Sequence, residues 1–114
     1  MEQATIAIIG MGAVGSTAAH TLLLSTEGVT ILLVDINKNK CKGEEQDLDD
    51  AVAAGSSSNI VSGTLAEAGQ ADIIIITAGV PQKPGESRRD LLATNRTIMS
   101  SIITGMESIK STSI

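Results

Sequence analysis

Three glycines at positions 10, 12 and 15 constrain this chain more than any other feature. They follow an apolar run at residues 6–9 and precede helix-forming residues, which predicts a strand, a tight turn and a helix N-terminus. Gly10 permits a bend that other residues resist, Gly12 lets an anionic group approach the main chain, and Gly15 allows close packing of helix on strand. Free N–H groups at the positive end of the helix dipole would bind phosphates. Because this spacing also occurs in ordinary turns, its meaning depends on residues downstream.

An aspartate ends the second predicted strand. Residues 30–34 are continuously apolar or β-branched, as in a strand buried on both faces, and Asp35 follows 20 residues after Gly15. This is the interval at which a dinucleotide-binding fold places the carboxylate that accepts hydrogen bonds from the adenosine ribose. A carboxylate there would repel a 2′-phosphate, so the predicted cofactor is NAD rather than NADP. The alternative is an aspartate that only caps the next turn or helix.

Strand patterns alternate with helical patterns along the whole chain. The later strands are predicted at residues 60–62 and 72–77, and the helices at residues 13–24, 38–54 and 87–109, with a short helical turn within residues 65–71. Such alternation requires a parallel sheet with right-handed crossovers. The predicted fold class is α/β, a Rossmann-type doubly wound parallel sheet with strand order 3-2-1-4, truncated before a fifth strand. Residues 1–114 would form one dinucleotide-binding domain.

Helical periodicity predicts which side chains face the core. Val14, Ala18 and Leu22 recur every four residues in the first helix, and Cys41 and Leu48 share one side of the second. In the last helix, apolar residues at three- and four-residue intervals predict an amphipathic helix, and Ser87 with Asp90 predicts a capping box at its start.

Composition and charge disfavour several classes of partner. The net charge of −5 and the scattered Lys and Arg residues leave no basic surface for nucleic acid, and no apolar run is long enough for a membrane helix. The N-terminus does not resemble a secretory signal, so a cytoplasmic location is expected. A single Cys and a single His provide too few ligands for a zinc site. A catalytic pair of Cys41 and His20 is a weaker alternative, and acidic residues 44–50 fit a solvated helix face better than a metal site.

A polar loop follows the last predicted strand. Small residues at 78–79 end the strand where a ligand would press on the backbone, and residues 80–88 contain both prolines of the chain. Two prolines and a glycine beside a cofactor cleft are typical of a lid with few accessible conformations.

These segments together resemble the L-lactate and malate dehydrogenase family, as the N-terminal half of its members. The resemblance covers essentially the whole chain: the glycine turn, Asp35, residues 46–51, the strand into residues 77–79, the loop ending at residues 84–88, and residues 94–95. It implies that NAD is bound by Gly10, Met11, Gly12, Ala13, Val14, Gly15, Asp35, Gly79, Val80 and Asn95.

The resemblance also implies two substrate-binding residues in the loop. Arg88 matches the family's loop arginine, which closes over a 2-keto or 2-hydroxy acid and polarises its carbonyl, a catalytic role suited to a permanent cation. The alternative is an exposed arginine at a helix start. Gln82 matches the position that selects the substrate: a neutral glutamine suits pyruvate, because the second carboxylate of oxaloacetate would lack a counter-ion. Pro81 is more typical of malate dehydrogenases, so both substrates stay open.

The family's catalytic histidine, its orienting aspartate, a second arginine and an asparagine would all lie beyond residue 114. The substrate domain is therefore expected to be absent and the chain alone to be inactive, with a stand-alone NAD-binding module as the alternative function. A strand at residues 73–76 would lie on an open edge, so a homo-oligomer is expected.

Overall fold

Four parallel strands form one sheet in the order β3-β2-β1-β4. The computed structural model describes residues 3–53, 57–80 and 82–114. In chain order the elements are β1 (Ala4–Ile9), α1 (Ala13–Ser25), β2 (Val29–Val34), α2 (Lys38–Ala53), β3 (Asn59–Ser62), α3 (Leu65–Ala68), β4 (Ile73–Ile76) and α4 (Arg88–Gly105). The predicted fold class and strand order are confirmed.

The register of the sheet brings three strand ends to one edge. Ile9, the last residue of β1, pairs with Val34 of β2 on one side and with Ile76 of β4 on the other. Because parallel strands run in the same direction, the residues that follow these three ends emerge side by side. The first glycine of the turn, Asp35 and Thr77 therefore meet at the carboxyl edge of the sheet.

Two separate hydrophobic clusters cover the two faces of the sheet. One face packs against helices α1 and α2, with Ile8, Leu33, Leu23, Cys41 and Leu48 among its buried members. The other face packs against α3 and α4, with Ala7, Ile9, Leu32, Ala68 and Ile102 among its buried members. Successive residues of β1 and β2 alternate between the clusters, so both faces of the central strands are buried, as their continuous apolar sequences predicted.

The buried face of α1 lies one position away from the predicted face. Gly15, Ala19 and Leu23 are buried, and the predicted Ala18 and Leu22 pack half-buried against the same cluster, whereas Val14 is 70% exposed. The reason is the close approach at Gly15, where an added Cβ would lie only 1.9 Å from the carbonyl oxygen of Gly10. The line of contact with the sheet must therefore run through Gly15 and continue at four-residue intervals.

Helix α4 begins at the predicted capping box and ends earlier than predicted. The Ser87 hydroxyl accepts a hydrogen bond from the Asp90 N–H, and the Asp90 carboxylate accepts one from the Ser87 N–H. The helix ends at Gly105, and Glu107 then adopts a left-handed conformation with φ of 61°. Among the described residues of α4, Ile102 is the one that is buried, while the other apolar residues of this helix are partly or largely exposed, including Leu92, Met99 and Ile103.

The C-terminal segment returns to the edge of β4. The Ile114 N–H donates to the Asp72 carbonyl at 3.0 Å, and the Ile114 carbonyl accepts from Ile74 at 2.8 Å. The Asp72 carboxylate binds the Lys110 ammonium at 2.5 Å and the Thr5 N–H at 2.8 Å. The edge that was expected to be open is thus paired at this point. Within the described ranges, no helix combines the length and apolarity needed to cross a membrane.

Candidate functional site

A cleft of about 670 Å³ opens at the carboxyl ends of the strands. It is bounded by the segments that follow β1, β2, β3 and β4 and by one side of α4. The described residues that line it are 9–12, 34–36, 38, 40, 63–65, 77–80, 97–98 and 101–102. The cleft therefore lies where the crossover connections diverge, which is the usual ligand position in an open parallel sheet.

The glycine turn forms one wall of the cleft and has the shape that the spacing predicted. Gly10 has φ of 106°, a conformation that residues with a Cβ rarely adopt, and its N–H donates to the Val34 carbonyl at 2.8 Å. An added Cβ at Gly12 would meet nothing within 4 Å, so the main chain there faces open space. Gly12 also caps α1 without a side-chain hydrogen bond. The turn thus leaves room for a pyrophosphate, whose oxygens would accept hydrogen bonds from the free N–H groups at the helix N-terminus.

The other two turn residues named as cofactor ligands, Ala13 and Val14, lie in the first turn of α1. Both are exposed, in contrast to Gly15, which the packing of α1 buries. Their backbone N–H groups belong to the positive end of the helix. The structure therefore places these two residues next to the open main chain of Gly12, but they are not among the residues that line the cleft.

Asp35 lies beside the glycine turn, and its carboxylate accepts hydrogen bonds from two backbone N–H groups. Oδ2 accepts a hydrogen bond from the Met11 N–H at 2.7 Å, and Oδ1 accepts one from the Asn37 N–H at 2.8 Å. The second contact is the turn-capping role considered as the alternative from sequence. Each carboxylate oxygen can accept a further hydrogen bond. Asp35 is half-buried and lines the cleft, so its geometry is compatible with ribose hydroxyls as additional partners.

Gly79, Val80 and Asn95 lie together on the β4 side of the glycine turn, whereas Asp35 lies on its β2 side. The Asn95 Oδ1 accepts from the Val80 N–H at 3.0 Å, and its Nδ2 donates to the Val80 carbonyl at 3.5 Å. A Cβ added at Gly79 would lie 3.4 Å from the same Oδ1. Gly79 and Val80 line the cleft, whereas the Asn95 amide hydrogen-bonds the Val80 backbone to α4.

The two loop residues named for the substrate, Gln82 and Arg88, are exposed and do not line the cleft. The Gln82 side-chain amide donates to the Glu86 carbonyl at 2.6 Å, a contact within the loop. Arg88 is the first residue of α4. Pro81 lies outside the described residues. The structure therefore brings the predicted cofactor residues 10–12, 35 and 79–80 together in the cleft lining, and it leaves the predicted substrate residues apart from them.

Several cleft residues were not identified from the sequence. They are Lys38, Lys40, Thr64, Thr77, Thr97 and Ser101. Thr64 and Thr77 follow the ends of β3 and β4, so the rule that ligands lie at carboxyl strand ends would have found them. Thr97 and Ser101 lie four residues apart on one face of α4, a spacing visible in the sequence. Nothing in the local sequence distinguished Lys38 and Lys40 from solvated lysines.

The Cys41 thiol belongs to the core rather than to a catalytic pair. It is buried among the residues of α1, α2 and the sheet, and this burial, with a smaller contribution from the negative charge of Asp35, raises the pKa of the Cys41 thiol above its usual value. His20 is exposed on α1. In the ranges that the structure describes, no group of three His, Cys, Asp or Glu residues lies close enough together to hold a metal ion.

Proteins of known identity share both this sequence and this fold. The family described as "lactate/malate dehydrogenase, NAD binding domain" matches residues 4–114. L-lactate dehydrogenase 2 of Lactiplantibacillus plantarum is 42% identical over 102 residues, which cover 90% of this chain and 33% of the relative. The L-lactate dehydrogenase of Thermoanaerobacter sp. is 43% identical over 109 residues, covering 96% of this chain and 35% of the relative.

Solved structures of both activities resemble the fold. The minor L-lactate dehydrogenase of Enterococcus mundtii superposes with a TM-score of 0.85 at 36% identity, covering 94% of this chain and 34% of that one. The malate dehydrogenase of Cryptosporidium parvum has a TM-score of 0.84 at 32% identity, covering 97% of this chain and 36% of that one. The chain spans about a third of the length of these relatives. It therefore belongs to the lactate/malate dehydrogenase family through that family's NAD-binding domain, and the prediction of NAD as the cofactor is confirmed.

Proposed function

We propose that this chain is the cofactor-binding part of an L-lactate dehydrogenase, which transfers hydride between NAD and C2 of lactate or pyruvate. The observation that carries the proposal is the convergence of residues 10–12, Asp35 and residues 79–80 on one cleft at the carboxyl edge of the sheet. NAD, when bound, supplies the hydride acceptor or donor. The chain's own residues bind the cofactor, orient it and select the substrate.

Each wall of the cleft suits a different part of a dinucleotide. The N–H groups of residues 12–15 would bind the pyrophosphate at the helix N-terminus. The Asp35 carboxylate would accept hydrogen bonds from the ribose hydroxyls and repel a 2′-phosphate. Gly79 leaves room for the ligand to pass along the backbone, which Asn95 holds in place through Val80.

Substrate selection is proposed for the loop between β4 and α4. Arg88 would place a permanent cation beside the substrate carbonyl when the loop closes, so it would stabilise the negative charge that develops on oxygen. Gln82 is neutral, and a second substrate carboxylate facing it in a closed site would have no counter-ion. This favours pyruvate over oxaloacetate, in agreement with the L-lactate dehydrogenases among the relatives.

Malate dehydrogenase is the second candidate. It is favoured by the structural similarity to the Cryptosporidium parvum malate dehydrogenase, which is nearly as close as the similarity to the lactate enzyme. A non-catalytic NAD-binding module is a third candidate, because the described residues that line the cleft include no histidine to act as acid or base.

Titration of the purified chain with NADH tests cofactor binding directly. We expect binding without turnover when pyruvate is added, since no histidine lies in the described cleft to act as the acid or base. The absence of NADH binding at millimolar cofactor would contradict both the dehydrogenase and the binding-module proposals. Rapid oxidation of NADH by pyruvate would instead show that the chain contains its own acid–base group.

A chimeric enzyme tests the substrate. Residues 1–114 would replace the matching segment of the Thermoanaerobacter L-lactate dehydrogenase, and kcat/KM would be measured for pyruvate and oxaloacetate. We expect a preference for pyruvate, and Gln82→Arg should shift the ratio toward oxaloacetate by about a hundredfold, the size expected for pairing a desolvated charge. The control is Lys83→Arg, which places the same side chain one position further along the loop. A chimera with Gln82 that prefers oxaloacetate would support malate dehydrogenase instead.

The expectation of a homo-oligomer stays a prediction. Apolar side chains of α4, including Leu92 and Ile103, are exposed, and self-association would cover them. Sedimentation velocity over a range of concentrations measures this, and a monomer at the highest concentration would contradict it.

A further inference from the structure

One peptide unit in the glycine turn is held on both sides by side chains. The carbonyl of Gly10 accepts a hydrogen bond from the Thr77 hydroxyl at 2.9 Å, and the N–H of the same peptide, that of Met11, donates to Asp35 at 2.7 Å. The two side chains follow β4 and β2, the strands on either side of β1. The peptide between Gly10 and Met11 is therefore clamped from both neighbouring strands.

Thr77 is itself fixed by the sheet. Its N–H donates to the Ile9 carbonyl at 2.9 Å, which extends the pairing of β4 with β1 by one residue. Its hydroxyl oxygen lies 2.9 Å from the Gly10 carbonyl oxygen and 3.3 Å from that of Ile9. Because a hydroxyl has one proton to donate, the nearer carbonyl of Gly10 is its main partner.

A clamp matters here because glycine alone does not determine the orientation of this peptide. Gly10 has φ of 106°, and a glycine can adopt conformations on either side of φ = 0 with little cost. Rotation of the peptide would turn the carbonyl away from Thr77 and the N–H away from Asp35, so both hydrogen bonds oppose it. The direction of the main chain entering Gly12 and α1 depends on this orientation.

We propose that Thr77 is a positioning residue for the cofactor: its hydroxyl holds the Gly10–Met11 peptide so that the turn is already shaped for the pyrophosphate. This inference rests on the proposed function of the cleft as an NAD site. Thr77 acts through Gly10 and belongs to the group of cleft residues that the spacing of glycines and aspartate does not identify. A preformed turn binds more tightly, because less ordering is required on binding.

Paired substitutions at position 77 test this role. Thr77→Val removes the hydroxyl with little change in shape, and Thr77→Ser keeps it. We expect the valine variant to bind NADH about five- to tenfold more weakly and the serine variant to bind within about twofold of the original chain, as for loss of one hydrogen bond. Thr104→Val makes the same chemical change at an exposed position of α4 and should leave affinity unchanged.

The choice of ligand separates positioning from general structural support. Adenosine has no pyrophosphate, so its affinity, measured by NMR titration, should be the same for the valine variant and the original chain. Equal weakening of NADH and adenosine, unchanged NADH affinity, or failure of serine to preserve binding would each overturn the proposal. Should the valine variant not fold, Thr77→Ala removes the same hydroxyl without adding a methyl group near Gly10. Failure of both variants to fold would assign Thr77 to stability instead.

Amide hydrogen exchange tests the clamp without any cofactor. In the valine variant the Met11 N–H should exchange faster, because the Gly10 carbonyl of the same peptide no longer accepts a hydrogen bond from residue 77. The exchange rates of core amides such as that of Ile8 should not change. Unchanged exchange at Met11 would overturn the proposal even if NADH binds. A chain that binds no NADH but shows faster exchange at Met11 would contradict the proposed function and leave the clamp supported.

Discussion

The carboxylate of Asp35 accepts a hydrogen bond from the backbone N–H of Met11, with 2.7 Å between the nitrogen and Oδ2. The acidic residue that follows β2 thus also stabilises the glycine turn that follows β1. A substitution at Asp35 therefore alters two features at once, the proposed ribose contact and the shape of the turn. Experiments at this position must separate the two effects.

Replacement of Asp35 by alanine should weaken NADH binding more than NADPH binding. We expect the Kd for NADH to rise at least tenfold, since hydrogen bonds to a charged group are lost. Loss of the hydrogen bond between Asp35 and the Met11 N–H should weaken the binding of both cofactors equally. Loss of the carboxylate also removes its repulsion of the 2′-phosphate, which only NADPH carries. Fluorescence titration with both cofactors measures the ratio. Asp49→Ala, at an exposed position of α2, is the control. An equal loss for both cofactors would contradict the ribose role.

Alanine at Gly12 should reduce cofactor binding without unfolding the chain. An added Cβ meets nothing within 4 Å, so we expect the free energy of unfolding to fall by less than about 1 kcal/mol, the cost of alanine at a helix N-cap. The same methyl group would occupy the space proposed for the pyrophosphate, so NADH affinity should fall at least about tenfold. Calorimetric titration and thermal unfolding measure the two effects.

Gly43 offers the matched control for that substitution. It lies within α2, and an added Cβ there also meets nothing within 4 Å. Gly43→Ala should raise the free energy of unfolding by about 0.5–1 kcal/mol, because alanine is the better helix residue, and leave NADH binding unchanged. Unimpaired NADH binding by Gly12→Ala would remove the pyrophosphate from the proposed position.

Acid should destabilise the chain partly through Asp72. The hydrogen bond from Lys110, with a second from the Thr5 N–H, lowers the pKa of Asp72 below its ordinary value of 3.8. A carboxyl whose pKa is lower in the folded state stabilises the fold above its ordinary pKa, and this contribution is lost as the pH falls through the folded value. Asp72→Asn should therefore show a smaller loss of stability between about pH 5 and pH 3. Urea unfolding across this range measures it, and identical pH profiles would contradict the assignment.

Glycine at position 107 should stabilise the end of α4. Glu107 has φ of 61°, in the left-handed region that disfavours side chains, and its N–H donates to the Thr104 carbonyl at 3.0 Å. We expect Glu107→Gly to raise the free energy of unfolding by roughly 0.5–1 kcal/mol, because glycine adopts this conformation without a steric cost. Thermal unfolding compares it with Glu107→Ala, which removes the carboxylate but keeps the Cβ. Equal stability of the two variants would contradict the steric explanation.

Local sequence patterns were sufficient to predict the helices and strands, but not to predict which face of every helix is buried. The capping box of Ser87 and Asp90 depends only on residues three apart, so it was predictable. The burial of α1 follows Gly15 and Ala19 instead of Val14, because the approach of Gly15 to the Gly10 carbonyl sets the rotation of the helix. That approach depends on how the helix packs on the sheet, which periodicity alone does not specify.

The sequence by itself determined the order of strands and helices, the glycine turn after β1, the acidic residue after β2 and the choice of NAD. These features depend on residue spacing along the chain and on the parallel topology that the alternation of elements requires. Only the tertiary structure revealed the clamp of Thr77 and Asp35 on the Gly10–Met11 peptide and the fastening of Val80 by Asn95. Such contacts join residues far apart in sequence, so they depend on strand register and helix packing, which no local pattern records.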